Sequence, residues 1–566
     1  MPGRTSPGSG PREVGSRRNG TGRRVAVATA VVAALAPLAL LVSVLMGGGP
    51  KTLSDDIALL VLSARDALHR GVLVGPYSRY GWHHPGPSYF YLLAVPVSWW
   101  HGPTGLYVTV PLIVGLSAAG LALLVRRGSG DGAGWVAAGA VSLTVAGVGA
   151  ATVRDPWNPY VVSFPALLSV GASALGATGV PGALGWAAVA GSFAVQTHVS
   201  TAPVVGGALA LAVAARLAPR VAWSAHAVAR RARRRRGGIP TAAPTPPTER
   251  APTPAPTGPL RRPAWRRPEA VVATVVLVAA WAPPLWDQVH GTGNLHSIWR
   301  FFTASHPSHA WGDSWRAVAA VFAATLFQHH GAIAEGVPAL HPVAVTLLFC
   351  ALAVAGIVIG ALRRRATAVW MGVFALVAAG LAVVSVTRVV GPVFRYLVAW
   401  MAVLPAVPLI AVGAALAPAR VRWRPWAAVL AIAVVLPVVL ALRSVADVPP
   451  AVSLTDRDIQ TAYGFVAPVA GPRGATVRIE ITDGGRWPAA AGVGLELVRH
   501  GHPIRVQPPW TLLFGDNRRA TGREPVAIVV AGVDRRTWPS PTEATMLGRA
   551  GPEYLFLRHP PPANAP

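Results

Sequence analysis

The chain has 566 residues, 52% of them hydrophobic and only 13% charged, with a mean hydropathy of +0.46, which excludes an ordinary soluble globular protein. A net charge of +28 would suit a nucleic-acid binder if the arginines lined one folded face. Instead Arg17-Arg18, Arg23-Arg24, Arg126-Arg127, Arg230 to Arg236, Arg363 to Arg365 and Arg420 to Arg424 fall between apolar runs, as the positive-inside rule places cytoplasmic loops, so the expected partner is the bilayer and not nucleic acid.

A hydrocarbon core takes about 20 apolar residues per helix. Runs near 24–46, 104–125, 133–152, 158–178, 181–197, 199–218, 269–287, 342–362, 367–387, 393–416 and 425–443 give eleven expected spans. The first is read as an anchor, because its apolar run exceeds a signal-peptide core and no small-residue cleavage site follows. With a basic, disordered, cytoplasmic stretch at 1–23, eleven spans put every strongly basic loop inside and the C-terminus outside a cell membrane. The short apolar stretch from Ser88 to Trp100 would break that parity as a span and is read as an interfacial helix. Residues 219–267 are rich in arginine and then proline, and read as a disordered cytoplasmic tether. The expected layout is an α-helical polytopic membrane domain over 24–443, with outer loops at 47–103 and 288–341, followed by a small extracytoplasmic α/β domain at 444–566. In that domain Thr476 to Thr482, Pro503 to Gln507, Val526 to Val530 and Glu553 to Leu557 read as strands, and Pro488 to His500 as a helix within a β-α-β unit.

The polar motifs fall on the expected outer side. The first loop holds Asp55-Asp56 before an amphipathic helix from about Ile57 to His69, then GPYSRYGWHHPGPSYFYLLAVP from Gly75 to Pro96. A carboxylate just beyond a membrane helix is exposed enough to stay ionised and to take a proton from an acceptor hydroxyl, so Asp55 and Asp56 are candidate bases, although one of them also suits a helix cap. As cations, Arg79, His83 and His84 would hold a phosphate, while Tyr77 and Trp82 line the loop. RDPWNPY places Arg154, Asp155 and Asn158 at a cavity mouth, and QTHVSTAP adds Gln196 and His198, a costly polar pair unless it faces a wet cavity. In WAPPLWDQVHGTGNL, Pro283-Pro284 are expected to end a span, so that Trp286, Asp287 and Asn294 emerge to stack on and bond a sugar. The histidines at 290, 296, 306 and 309 lack paired zinc-ligand spacing, and the lone cysteine, Cys350, excludes a disulfide or thiolate zinc site. TRVVGPVFRY carries Arg388, Arg395 and Tyr396; its arginines run against the positive-inside bias and are candidates for holding phosphate.

In this layout the segment from His84 to Pro111 resembles the H-P-P-x-x-Y-x-L-L stretch of the GT-C superfamily of integral membrane glycosyltransferases, with Gly86 and Pro87 replacing the usual second proline. The chain is similar to actinobacterial-type arabinosyl- and mannosyltransferases of that superfamily. The resemblance implies inverting transfer from a polyprenyl-phosphate sugar to an envelope glycan, lipid or protein acceptor. It also implies that Asp55 or Asp56 matches the first-loop base, with a divalent cation near the pair as in some relatives. The rival readings are a transporter or lipid flippase and a non-catalytic envelope-assembly protein. A transporter should carry ionisable residues at mid-membrane and repeated halves, and the sequence displays neither.

Overall fold

The structure is a computed structural model that describes residues 12–46, 52–100, 103–218, 268–306, 308–324, 342–418, 435–445 and 455–559. The expected tether at 219–267, residues 1–11 and most of the last expected span lie outside the described residues. The helices are α1 (Arg12–Leu45), α2 (Asp55–His69), α3 (Ser88–Trp99), α4 (Thr104–Ser129), α5 (Asp131–Val148), α6 (Asn158–Thr178), α7 (Ala183–Thr197) and α8 (Val199–Ala218). After the tether follow α9 (Pro268–His290), α10 (Asn294–Thr303), α11 (Trp311–Ala324), α12 (Pro342–Leu362), α13 (Ala366–Thr387) and α14 (Arg395–Leu416).

Among the described residues, nine helices are long and apolar enough to cross a membrane: α1 from Gly22 onward, α4, α5, α6, α8, α9, α12, α13 and α14. The chain is therefore a multi-pass membrane protein. The expected span at 181–197 is α7, whose 15 residues reach only about 22 Å. Of the expected span at 425–443, only residues 435–443 are described, and they are helical. Helix α1 begins at Arg12, inside the stretch expected to be disordered. Small residues bring the helices close: a Cβ on Gly356 would meet Ala411, and one on Gly372 would meet the Ala353 carbonyl.

Of the basic segments, those at Arg126-Arg127 and Arg363 to Arg365 lie at one end of the bundle with Gly22. Arg126 pairs with Asp131 Oδ1 at 2.7 Å and donates to the Gly22 carbonyl at 3.0 Å. Arg365 donates to the carbonyls of Ala414 and Ala417, satisfying the open end of α14. The opposite end carries α2, α3 and the C-terminal domain.

Helix α9 departs from expectation. It runs through Pro283-Pro284 to His290, because a membrane helix tolerates proline where neighbouring groups take up the freed carbonyls; Gln196 Nε2 donates to the Ala280 carbonyl at 3.1 Å.

The C-terminal domain adds α15 (Asp456–Val466), β1 (Val477–Ile481), α16 (Trp487–Arg499), β2 (Ile504–Val506), β3 (Val526–Ala531), β4 (Ala544–Ala550) and β5 (Glu553–Arg558). The sheet order is β2-β1-β3-β5-β4, parallel across β2, β1 and β3 and antiparallel across β3, β5 and β4. The expected β-α-β unit is β1-α16-β2. Strand β4 was not expected; its irregular burial pattern, with consecutive exposed residues at Thr545 and Met546, and a register shift between Met546 and Gly548 hide the alternation.

Helix α16 is buried on two sides. Gly494 faces Ile504 and Ile479 of the sheet, whereas Gly492 lets α16 approach the Leu53 carbonyl just before α2. Two further contacts tie the domain to α2. Thr52 donates to Asp456 Oδ1 through its backbone N–H (3.0 Å) and its hydroxyl (2.8 Å). The Arg518 guanidinium meets Asp66 Oδ2 at 2.5 Å with both side chains largely buried, and it also donates to the Phe514 carbonyl at 2.9 Å. Removing one partner of such a pair leaves a buried charge uncompensated. Asp66→Ala is expected to cost about 3–5 kcal/mol, read as a lowered melting temperature of the purified full chain. Adding Arg518→Leu to Asp66→Ala should recover part of that loss. A loss under about 1 kcal/mol, the size of an exposed pair, would show that the pair does not clamp the domain.

Candidate functional site

At the end of the bundle opposite the basic loops lies a cavity of about 610 Å³, walled by α2, the 72–84 loop, the start of α6, the α7–α8 junction, α10, the 385–397 segment and the 513–515 turn of the C-terminal domain. The 75–84 loop is a tight hairpin. Tyr77 bridges His83, Ser78 donates to the Trp82 carbonyl at 2.7 Å, and Gly81 turns the chain at φ 85°. Gly75 is confined by the carbonyl oxygens of His84, Gly86 and Gln196, all within 3 Å of where a Cβ would sit.

Asp56, in the first turn of α2, lines the cavity. Burial pushes its carboxyl up to about 6, the Tyr77 hydroxyl pulls it back by a hydrogen bond, and Asp55 pushes it up further. The expectation of an exposed, always ionised carboxylate is corrected: Asp56 changes protonation near neutral pH. The Tyr77 hydroxyl is in turn pushed well above its ordinary range by burial and then by Asp56. Ser54 takes the N-cap position and its hydroxyl donates to Asp55 Oδ2 at 3.2 Å, while Asp55 itself, in the left-handed region at φ 53°, is off the cavity wall.

The histidines are not cations. The Val199 N–H donates to His84 Nδ1 at 3.1 Å, which puts the proton of His84 on Nε2, from where it reaches His198 Nδ1 at 3.3 Å. The proton of His198 then lies on Nε2, a buried donor without a hydrogen-bond partner among the described residues. Burial holds His84 well below its ordinary range, helped by the neighbouring His198, and lowers His198 to about 3. His83 is also pushed down by burial; its Nε2 donates to the Leu512 carbonyl at 3.0 Å, so its ring is spent on the C-terminal domain. In place of three cations the loop offers Arg79 and two neutral, hydrogen-bonded imidazoles on the cavity wall.

Arg79 is held in place. It donates to the Val390 carbonyl at 3.0 Å and to the Tyr80 hydroxyl at 2.6 Å, and its guanidinium carbon lies 4.7 Å from the Phe394 ring centroid. It shares the cavity wall with Arg388 and Tyr396. Tyr80, Phe301 and Trp82 form an aromatic wall, with Tyr80–Phe301 centroids 4.7 Å apart and Trp82–Phe301 centroids 5.6 Å apart.

Of the residues expected from sequence, the cavity brings together Asp56, Tyr77, Arg79, Trp82, His83, His84, Asn158, His198, Arg388 and Tyr396. It does not include Arg154, Asp155, Gln196, Trp286, Asp287, Asn294 or Arg395. Asp287 is buried and accepts from the backbone N–H groups of Thr292 (3.0 Å) and Asn294 (3.0 Å), which shapes the turn into α10. Asn294 pairs with the His83 backbone in both directions, at 2.8 and 2.9 Å. Gln196 accepts from the Ser88 hydroxyl at 2.5 Å and is fully buried. Trp286 is exposed and stacks on His290 at 4.2 Å. Asp155 accepts from the Trp157 N–H at 2.8 Å and is pushed up to about 6, chiefly by burial, with the Asp56 charge adding to it and Arg395 opposing. Among the described residues, no group of three or more His, Cys, Asp or Glu side chains is placed to hold a metal ion.

The sequence reading missed Tyr80, Trp157, Ser200, Phe301, Phe302 and Leu513 on the wall. The strongly amphipathic NLHSIWRFFT of α10 was the available signal for Phe301 and Phe302.

No family model matches the chain, and no curated protein matches it. Solved structures do. The crystal structure of ArnT from Cupriavidus metallidurans bound to undecaprenyl phosphate is 13% identical and superposes with a TM-score of 0.50, covering 94% of this chain and 97% of that one. The same protein in the apo state, also 13% identical, gives a TM-score of 0.51 over 93% and 97% of the two chains. The membrane bundle and the C-terminal domain of this chain thus share the fold of ArnT.

Proposed function

We propose that the chain is a membrane glycosyltransferase that moves a sugar from a polyprenyl-phosphate donor to a hydroxyl of an envelope glycan, lipid or protein on the extracytoplasmic face. The observation that carries this reading is Asp56, a carboxylate with its pKa raised to about 6, on the wall of a cavity that also presents Arg79 and Arg388. A base tuned close to the working pH combines a useful ionised fraction with real proton affinity. ArnT, which has this fold, was crystallised with undecaprenyl phosphate, a lipid of the donor class.

In the proposed reaction the acceptor hydroxyl oxygen attacks the anomeric carbon as its proton passes to the Asp56 carboxylate. The bond from that carbon to the phosphate oxygen breaks, and its electron pair leaves with the polyprenyl phosphate. Arg79 and Arg388 offset the charge that develops there. The neutral Nε2–H of His198 supplies a hydrogen bond to an oxygen of the bound substrate. The aromatic wall offers a ring face to the sugar or an apolar surface to the first prenyl units.

Purified full-length protein incubated with a panel of polyprenyl-phosphate sugars should transfer one of them, and Asp56→Asn should lower the rate by roughly 10²–10⁴-fold, the usual worth of a general base. Transfer that survives Asp56→Asn would remove Asp56 from the role.

The pH profile gives an independent reading. The base acts only when deprotonated, so kcat/KM should rise with pH and level off above about 6. Tyr77 stabilises the carboxylate, so Tyr77→Phe should move this limb to higher pH; an unmoved limb belongs to another group.

Sidedness is tested in a Cys350→Ser background with single cysteines introduced by Arg364→Cys and Ser540→Cys, both at exposed positions. An impermeant maleimide should label Ser540→Cys in intact cells and Arg364→Cys only after permeabilisation. Labelling of both from one side would overturn the topology.

A further inference from the structure

A second cavity, of about 530 Å³, lies on the other side of α2, between α2, the end of α3 and the C-terminal domain, and shares no lining residue with the first. Its wall carries the arginines Arg65, Arg70, Arg505 and Arg518 against a single carboxylate, Asp66. That carboxylate is committed to Arg518 at 2.5 Å. Among the described residues, none of Arg65, Arg70 and Arg505 lies within ion-pair distance of a carboxylate. Glu496, near Arg65, is taken by Arg499 at 2.5 Å. His502 closes the cavity from the domain side; it is 7% exposed, and its Nδ1 has no hydrogen-bond partner among the described residues. Three arginines that lie outside ion-pair distance of any carboxylate among the described residues surround a concave space beside a buried imidazole with a free Nδ1, and together they are a receptacle for an anion.

The position of the cavity selects the kind of anion. Its membrane-side wall is the C-terminal half of α3, including Ala94 and Val97, with Trp100 just beyond it. The rest of α3 leaves Leu92, Val95 and Trp99 exposed at 44%, 42% and 73%, an apolar face ending in a tryptophan pair of the kind that settles at the headgroup layer. An anion seated among the arginines would sit at headgroup depth, with room for acyl chains along Leu92 and Val95. We propose that this groove binds the phosphate headgroup of an anionic membrane lipid, as a site separate from the cavity that holds Asp56. The fold brings Arg65 of α2 and Arg70 just after it beside Arg505 of β2.

The test measures lipid retention and is independent of sugar transfer, so its result stands whether or not the transferase reading does. The purified full chain is titrated with phosphatidylglycerol or phosphatidylcholine, and bound lipid is counted by native mass spectrometry. Phosphatidylglycerol is expected to be retained in preference. Arg70→Gln should weaken that retention about fivefold and Arg70→Gln/Arg505→Gln roughly 25-fold, each basic residue at an anionic surface contributing about that factor. Arg523→Gln removes the same charge from an exposed position elsewhere on the domain and should leave retention unchanged. Because Arg505 also donates to the Asn517 carbonyl at 2.8 Å, the single Arg70→Gln variant decides the case if the double variant unfolds. Equal retention of the two lipids, or retention indifferent to Arg70→Gln, overturns the proposal. A third arm adds inorganic phosphate: if millimolar phosphate displaces the lipid completely, the site reads free phosphate and the lipid assignment falls.

Discussion

Everything at the functional end of this molecule depends on α2 being buried on two faces by different partners. Asp56, Leu59, Leu60 and Ser63, spaced by three and four residues, form one helical face and line the cavity. Arg65, Asp66, His69 and Arg70 turn to the other side and meet the C-terminal domain and the end of α3. A fifteen-residue helix is marginal by itself in water, so tertiary packing is what fixes it. The domain supplies that packing through the Asp66–Arg518 pair, the Thr52–Asp456 bonds and the approach of Gly492 to Leu53. The C-terminal domain therefore positions the candidate base as well as covering the cavity.

Burial of α2 also sets the chemistry of the site. The same packing that orients Asp56 strips water from it, and desolvation is the largest cause of its raised pKa. His84 and His198 respond to burial in the opposite sense, since their charged form is the protonated one. The result is a wall where a carboxylate titrates near neutrality while the imidazoles stay neutral donors. Among the described residues of the wall, positive charge comes from Arg79 and Arg388, and Arg79 is preorganised by the Val390 carbonyl and the Phe394 ring.

Much of this architecture was legible because apolar length and arginine placement are properties of single segments. Nine of the expected spans among the described residues, the short helix from Ser88 and the β-α-β unit follow from local pattern. The site was legible only in part, because a polar residue at a membrane surface looks the same in sequence whether it binds substrate or backbone. Gln196, Asp287 and Asn294 were read as cavity residues, yet each spends its hydrogen bonds on ordering the loops behind the wall. Trp286 followed from reading Pro283-Pro284 as a helix end, a rule that holds in water and weakens within a bundle. Tyr80, Phe301 and Leu513 come from three distant parts of the chain, and no local pattern brings them together. Gly86 lies against the Gln196 side chain, so that a side chain there would require Gln196 to move, a contact visible only in three dimensions.

The distribution of arginines carries one more step. At the basic end they serve as helix caps and loop charges, as with Arg126 and Arg365. At the opposite end some are neutralised or opposed: Arg518 by Asp66, Arg486 by Glu553 at 2.9 Å, and Arg395 by its proximity to Asp155. Near α2, those without a carboxylate partner among the described residues collect in two places, Arg79 and Arg388 on one side and Arg65, Arg70 and Arg505 on the other. An unpaired cation in a concave, partly dry setting is costly to keep unless an anion joins it for part of the time. Helix α2 thus separates two anion-seeking surfaces, and a shift of this helix driven from one of them would move Asp56 in the other.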